Sequence, residues 1–495
     1  MSIPTPMRRP KIEIVDRQQL QWRTVDIENL VVEDDPVRAI WELSGRLDLS
    51  RFYAAIISEE GEVGRDAIDP RLLICVWVYA YSQGVSSARE IARLCEYHPG
   101  FQWLTGLRPI NYHTLSDFRT EHAAALDELF TQMLALLTSE GLLSLQRVMQ
   151  DGTKIKANAG SDSFRRPERL KEHLRLAREQ VEHMKSQGED VAPRLKAART
   201  RAARERTQRL EQALEELERM KQQPYTKKDE FRASTSDPEC RVMKHGGGGG
   251  YGPSYNLQLS TDAKAGAIAE AYVTPHAVDT QELSPALERL HQRLGQTPRQ
   301  VVADAQYTTN PTVLKMHEAK VDFIGALKPP KSGLTGSLAR RGIDPTFGPE
   351  AFIFEPEQDV FRCPAGKLLH REREHEAHFH QEIYYRAPAT DCAGCAFKSR
   401  CSPKYPARAV VRSQLHPVIA AFRARMGTEE AKAIYKQRGP IAEFPNAWLK
   451  DKLDLRRFRL RGLVKVNLEA LWACLTYNIQ LWIRRVWRPL QEAIP

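Results

Sequence analysis

Apolar runs long enough to cross a membrane are missing from this 495-residue chain. The most apolar stretches, Leu72–Tyr81 and Leu463–Trp482, are short or broken by charge, whereas a span needs roughly 20 apolar residues. The first residues, Met1 to Lys11, carry Pro and Arg but no apolar segment, so no secretory signal is expected. Cysteine is scarce, with eight in the whole chain, too few for a disulfide scaffold. The glycine run Gly246–Gly250 lacks the Lys-Ser/Thr ending of a phosphate-binding loop and reads as a plain loop. Acidic charge is also in deficit. Against 73 Lys+Arg stand 63 Asp+Glu, a net charge of +10, which favours a polyanionic partner because phosphate contacts release counterions.

What is present exceeds one hydrophobic core, so two to four domains are expected. Residues 1–140 read as helices. Asp35-Pro36 and Asp69-Pro70 mark helix starts, Ser86-Ser87 caps a third helix, and Asn111–Arg119 restarts with a Thr or Ser cap. Short helices joined by a turn, with Arg and His on the later one, suggest a DNA-binding helix-turn-helix. Residues 141–166 open an α/β sheet with a strand over 145–151 that ends on Asp151. Residues 167–223 are rich in Arg, Lys, Glu, Leu and Ala and break at Gly188–Pro193, which predicts a helical hairpin or coiled coil. The sheet continues through 224–327, with strands at 255–260, 267–274, 299–304 and 321–327, and helices between the later ones. Residues 328–416 form an insert rich in Pro, Gly, Cys and His, expected to lack a core of its own. The chain returns to helix over 417–495, and its last apolar segment is expected to pack on the core.

Two carboxylates, Asp151 and Asp304, are placed at strand ends, where ligands collect in α/β sheets. An Asp-Gly pair such as Asp151-Gly152 is also an ordinary turn, and Asp304 an ordinary loop acid, so either alone says little. In the second insert, Cys363, Cys392, Cys395 and Cys401 offer four thiolates for a structural zinc, with His370, His375, His378 and His380 as nearby alternatives. Free thiols in a loop are the plainer reading. Cys75, Cys95, Cys240 and Cys474 stand apart and read as buried small hydrophobes. Asp279 is expected to cap a helix and to lie behind any site.

The stretch Met149-Gln-Asp-Gly-Thr-Lys-Ile-Lys-Ala-Asn-Ala159 resembles the first-Asp motif of insertion-sequence transposases with an RNase H-like DD-E core. Val301-Val-Ala-Asp-Ala-Gln-Tyr-Thr-Thr309 resembles their second-Asp motif. Tyr435, Arg438, Glu443 and Lys450 resemble the Tyr-Arg-Glu-Lys signature that carries the third carboxylate. Ser234–Pro238 and Ser254–Gln258 resemble the family's middle, so the likeness runs from about residue 30 to 482. One departure is that four residues separate Arg438 from Glu443 where the best-known form has three. In addition, Pro440 and Pro445 argue against a regular helix through Glu443.

The resemblance implies an α/β fold with an RNase H-like mixed sheet, an N-terminal helical domain, a charged helical insert and a Cys-rich insert. It implies that Asp151, Asp304 and Glu443 hold two Mg2+ or Mn2+ ions. A water or a 3′-hydroxyl would then attack a phosphodiester, cutting transposon ends and joining them to target DNA. Arg438 and Lys450 would contact phosphate, and Tyr435 would pack on a base or sugar. It further implies double-stranded DNA as partner, at least a homodimer on that DNA, and a bacterial, nucleoid-associated cytoplasmic setting. A nuclease without strand transfer and an inactive DNA-binding descendant are the competing readings.

Overall fold

A computed structural model describes residues 24–56, 66–186, 193–222, 231–246, 248–327, 338–377 and 380–492, with a few residues before Thr24. Residues 1–11, the 188–192 turn, Gly247 and His378, all singled out in the sequence, lie outside the described residues.

Seven helices come first: α1 (Pro36–Ser44), α2 (Ser50–Tyr53), α3 (Pro70–Ser82), α4 (Ala88–Tyr97), α5 (Pro99–Thr105), α6 (Tyr112–Glu121) and α7 (Ala123–Ser139). The expected caps operate at Asp35, Asp69 and Ser87, each accepting a backbone N–H of the first turn. For α6 the cap is Asn111, not the expected Thr or Ser. Arg119, one of the basic residues that suggested DNA contact, is buried. It donates to the Ser86 carbonyl and lies over the Trp77 ring, while His113 is exposed.

The chain then enters β1 (Arg147–Lys156), which is longer than expected, so Asp151 falls in mid-strand. The reason is its partner. The strands β2 (Phe164–Arg165) and β3 (Ala233–Ser234) pair across the base of an antiparallel hairpin, α8 (Pro167–Ser186) and α9 (Pro193–Lys221). Leu170, Leu174, Leu210, Ala213 and Leu217 form the seam of that hairpin, separate from the main core. Next, β4 (Arg241–Lys244) and β6 (Ile268–Thr274) pair along one edge of β5 (Tyr251–Asp262), and β1 runs antiparallel along its other edge up to Lys156. Helix α10 (Leu283–Leu294) leads to β7 (Gln300–Ala303), and α11 (Asn310–Glu318) leads to β8 (Asp322–Gly325). Both strands are parallel to β1 or its neighbour. The order β6-β5-β1-β7-β8, with β5 antiparallel, is the RNase H-like mixed sheet that the resemblance implied.

The second insert has a core, contrary to expectation. Strands β9 (Ile353–Glu355), β10 (Val360–Arg362), β11 (Leu368–Ala377), β12 (His380–Arg386) and β13 (Ala409–Leu415) form an antiparallel sheet. It buries Phe352, Phe361, Leu369, Ile383, Tyr385 and Val410. The sequence of β11, Leu-Leu-His-Arg-Glu-Arg-Glu-His-Glu-Ala, shows no apolar alternation, so its partners and not its own pattern hold it as a strand.

Four longer helices follow, α12 (Pro417–Met426), α13 (Glu429–Lys436), α14 (Arg438–Asp451) and α15 (Leu463–Trp482), before a short helical tail through Glu492. Helix α14 runs unbroken through Glu443 and Pro445, correcting the expectation of a break. Pro440 lies in the first turn, where its missing N–H had no intrahelical partner to lose. Pro445 gives up one bond and is compensated by burial. Nearly every residue of α15 is buried, and its Trp472 ring sits 6.5 Å from that of Trp77 in α3. One apolar cluster therefore runs from Val37 through the sheet to Trp487, tying the N-terminal helices to the strands. Trp472→Ala should lower the free energy of unfolding by about 3–5 kcal/mol. In urea, circular dichroism should show helices and sheet lost together at a lower midpoint.

Candidate active site

The pairing of β1 changes at one point. Along β5 it continues from Val148 to Lys156, but along β7 it stops at Gln150 opposite Ala303. The next residues in that register are Asp151 and Asp304. The two carboxylates thus stand side by side where parallel strands part, and the Asp304 charge helps to raise the Asp151 carboxyl.

Asp151 is held from two sides by α14. Arg438 Nη2 lies 2.6 Å from its Oδ1, and Asn446 Nδ2 donates to its Oδ2 at 2.8 Å. Burial pushes the Asp151 carboxyl up to about 6. The Arg438 guanidinium opposes the rise, while Asp304 and Asp279 add to it. Asp304 is half-buried, and its Oδ1 accepts from the Gln306 backbone N–H at 2.7 Å.

Glu443 is on the same helix but exposed. It lines a cleft of about 550 Å3 with Gly325, Leu327, Tyr435, Lys436 and Arg438. Among the described residues, no three Asp, Glu, His or Cys side chains are close enough together to hold a metal ion. The structure therefore joins Asp151 and Asp304 and leaves Glu443 on the cleft wall. Lys450 donates to Thr153 Oγ1, with burial lowering its ammonium and Asp151 supporting it. Tyr435 is half-buried, packed beside Met149 and Ala442. His245 faces the same basic group. Burial depresses its ring first, and then Lys156, Lys450 and Lys154.

Behind β1 lies a buried polar network that no motif announced. Asp279 Oδ1 accepts from Asn256 Nδ2 (2.6 Å) and Gln258 Nε2 (2.7 Å), and lies 3.5 Å from Lys154 Nζ. Tyr307, the Tyr of the second-Asp motif, donates to Gln258 Oε1 at 2.5 Å, and Gln150 Nε2 donates to the same oxygen. A Cβ on Gly152 would sit 2.5 Å from both Asp279 Oδ1 and Gln258 Nε2, so only glycine lets the network close over β1. The signal was present in the strands themselves, where Gln150, Lys154, Asn256 and Gln258 interrupt apolar residues in a sheet buried on both faces. Asp237, in the family-like middle segment, serves structure. It accepts from Tyr255 Oη at 2.7 Å and from the Gly462 N–H at 3.1 Å.

Away from this cleft, the half-buried Cys363, Cys392, Cys395 and Cys401 line a small, partly open cavity of about 30 Å3 with Leu369 and Phe397. Burial raises the Cys401 thiol, Arg408 opposes the rise, and the other three cysteines add to it. His370 and His375 are exposed on β11 and do not line the cavity. Cys75, Cys95, Cys240 and Cys474 are buried free thiols, as expected.

Residues 25–121 match the transposase domain DUF772, and residues 362–482 match the transposase DDE domain. The second match includes Glu443 and the four clustered cysteines; neither includes Asp151 or Asp304. No curated protein matches the chain in sequence. Among solved structures, the piggyBac transposase synaptic complex with hairpin DNA is 9% identical over 92% of this chain and 76% of that one. Its TM-score is 0.30, a likeness too slight to carry an argument. Transposase domains matched towards both ends, one of them the DDE domain itself, indicate a transposase function for the chain.

Proposed function

We propose that this transposase cuts the ends of its own element and joins them to target DNA at Asp151, Asp304 and Glu443. The observation that carries the reading is the parting of β1 from β7, which leaves two repelling carboxylates side by side. Such a pair fits a hard divalent cation, since magnesium takes one or two carboxylates and keeps several waters. Bound there, Mg2+ or Mn2+ would activate the attacking oxygen and stabilise the leaving one.

The chain's own residues do the rest. Asp151 and Asp304 would hold the ions, with Glu443 of the cleft wall as the third carboxylate. Arg438, paired with Asp151 in the metal-free site, would contact a phosphate once a cation neutralised that acid. Lys450, anchored through Thr153, contacts a second phosphate, and Tyr435 supports a base or sugar. Two ends must be processed together, so the working species is at least a dimer on double-stranded DNA, with the N-terminal helices as end-binding element. Drawn closer together by the metal, the four clustered cysteines would hold a structural zinc that staples the second sheet.

Incubation with DNA bearing the element's ends, in magnesium and then in EDTA, tests this directly. Wild type should cut and join only with the metal. Asp151→Ala, Asp304→Ala and Glu443→Ala should each lower both steps at least about a hundredfold while still shifting the DNA in a gel. Cutting without joining would make the chain a nuclease, and equal activity in the variants would remove these residues from the chemistry.

Acid should weaken the site, because a proton competes with the cation at Asp151. Manganese affinity measured by calorimetry should fall as pH drops below about 6. The stability linkage has its own sign. The folded carboxyl sits above its usual 3.8, so its contribution to stability is full below that value and is lost as pH rises through about 6. For the cysteine cavity, mercurial treatment with a metallochromic dye should release about one zinc per chain. The paired change Cys392→Ser and Cys395→Ser should abolish that release; zinc retained by this variant, or none in wild type, would contradict it.

A further inference from the structure

Asn446 belongs to no motif, yet it is 8% exposed and lies against Asp151. Helix α14 explains the position. Ala442, Asn446 and Lys450 follow one another at four-residue spacing, so they share the face turned to β1. The amide's orientation is fixed by its partners. Asp151 Oδ2 (2.8 Å) and the Ala442 carbonyl (3.2 Å) can only accept, so both N–H groups point at them. That leaves Asn446 Oδ1 buried with no hydrogen-bond partner. A buried carbonyl oxygen without a donor is costly to keep, and here it lies beside a carboxylate, the same class of hard oxygen that binds magnesium.

We propose that Asn446 is part of the cation site. Its nitrogen fixes the rotamer of Asp151, and its free oxygen enters the coordination shell of a divalent cation, directly or through one bound water. This rests on the reading of Asp151 and Asp304 as cation ligands. It also bears on the exposed Glu443, because an oxygen from Asn446 gives the cation a third protein ligand beside Asp151 and Asp304.

Free Mn2+ in solutions of the full chain without DNA, counted by electron paramagnetic resonance at pH 7.5, tests it. Asn446→Ala should weaken binding about 10- to 100-fold, with the melting profile of the metal-free protein recorded alongside. Asn446→Asp is the discriminating variant. It cannot donate to Asp151, so a purely structural role predicts the same loss as alanine, whereas a ligand role predicts affinity at least equal to wild type. Weakened binding by Asn446→Asp would therefore overturn the proposal, even if the alanine variant failed to fold. Asp151→Ala and Asp304→Ala separate the two levels. If they weaken binding and both Asn446 variants match wild type, this inference alone falls. If they bind as wild type does, the carboxylate reading falls and takes this inference with it.

Discussion

Two parallel strands that part at the end of a short ladder set the terms for everything around the site. As long as β1 and β7 exchange backbone hydrogen bonds, their side chains belong to the buried faces of the sheet. At Asp151 and Asp304 the ladder ends, and two like charges are left at close quarters in a half-buried place. Nothing in a stable core needs such a pair, and burial already drives the Asp151 carboxyl toward its neutral form. The cost is bearable because Arg438 and Asn446 reach across from α14.

The surroundings follow the same electrostatic logic on both sides of β1. On the α14 side, Arg438 and Lys450 supply positive charge next to Asp151 and Thr153. On the opposite side, Asp279 is buried among two amides with Lys154 nearby, and Tyr307 and Gln150 meet at Gln258. These polar layers are densely hydrogen-bonded, which makes them rigid and fixes where β1 lies. The apolar cluster through Trp77 and Trp472 then ties this rigid strand to the N-terminal helices.

Much of this was legible in the residues. Proline after aspartate marked α1 and α3, and the apolar runs before Asp304 and over 321–327 marked β7 and β8, while the spatial strand order was implied only by the family resemblance. Asp151 was legible as a candidate at a strand end but not as a mid-strand residue, because what ends there is one pairing of β1 and not β1 itself. The charged β11 was invisible, since its strand conformation depends on the neighbours β10 and β12 and not on its own alternation. The run of α14 through Pro445 defied a local rule because burial outweighed one lost backbone bond. Asp279 lies behind β1 as expected, although Glu282 and not Asp279 is the N-cap of α10, and Asn446 escaped for a different reason. A lone amide or acid acquires meaning only from what stands opposite it, and that is long-range information.

The most direct measurement is a crystal of the protein grown with manganese and recorded at the metal's absorption edge. An anomalous peak between Asp151 and Asp304, with the Arg438 guanidinium turned off Asp151, is what the account predicts. Full manganese occupancy elsewhere with none at this pair, and Arg438 still on Asp151, would contradict it.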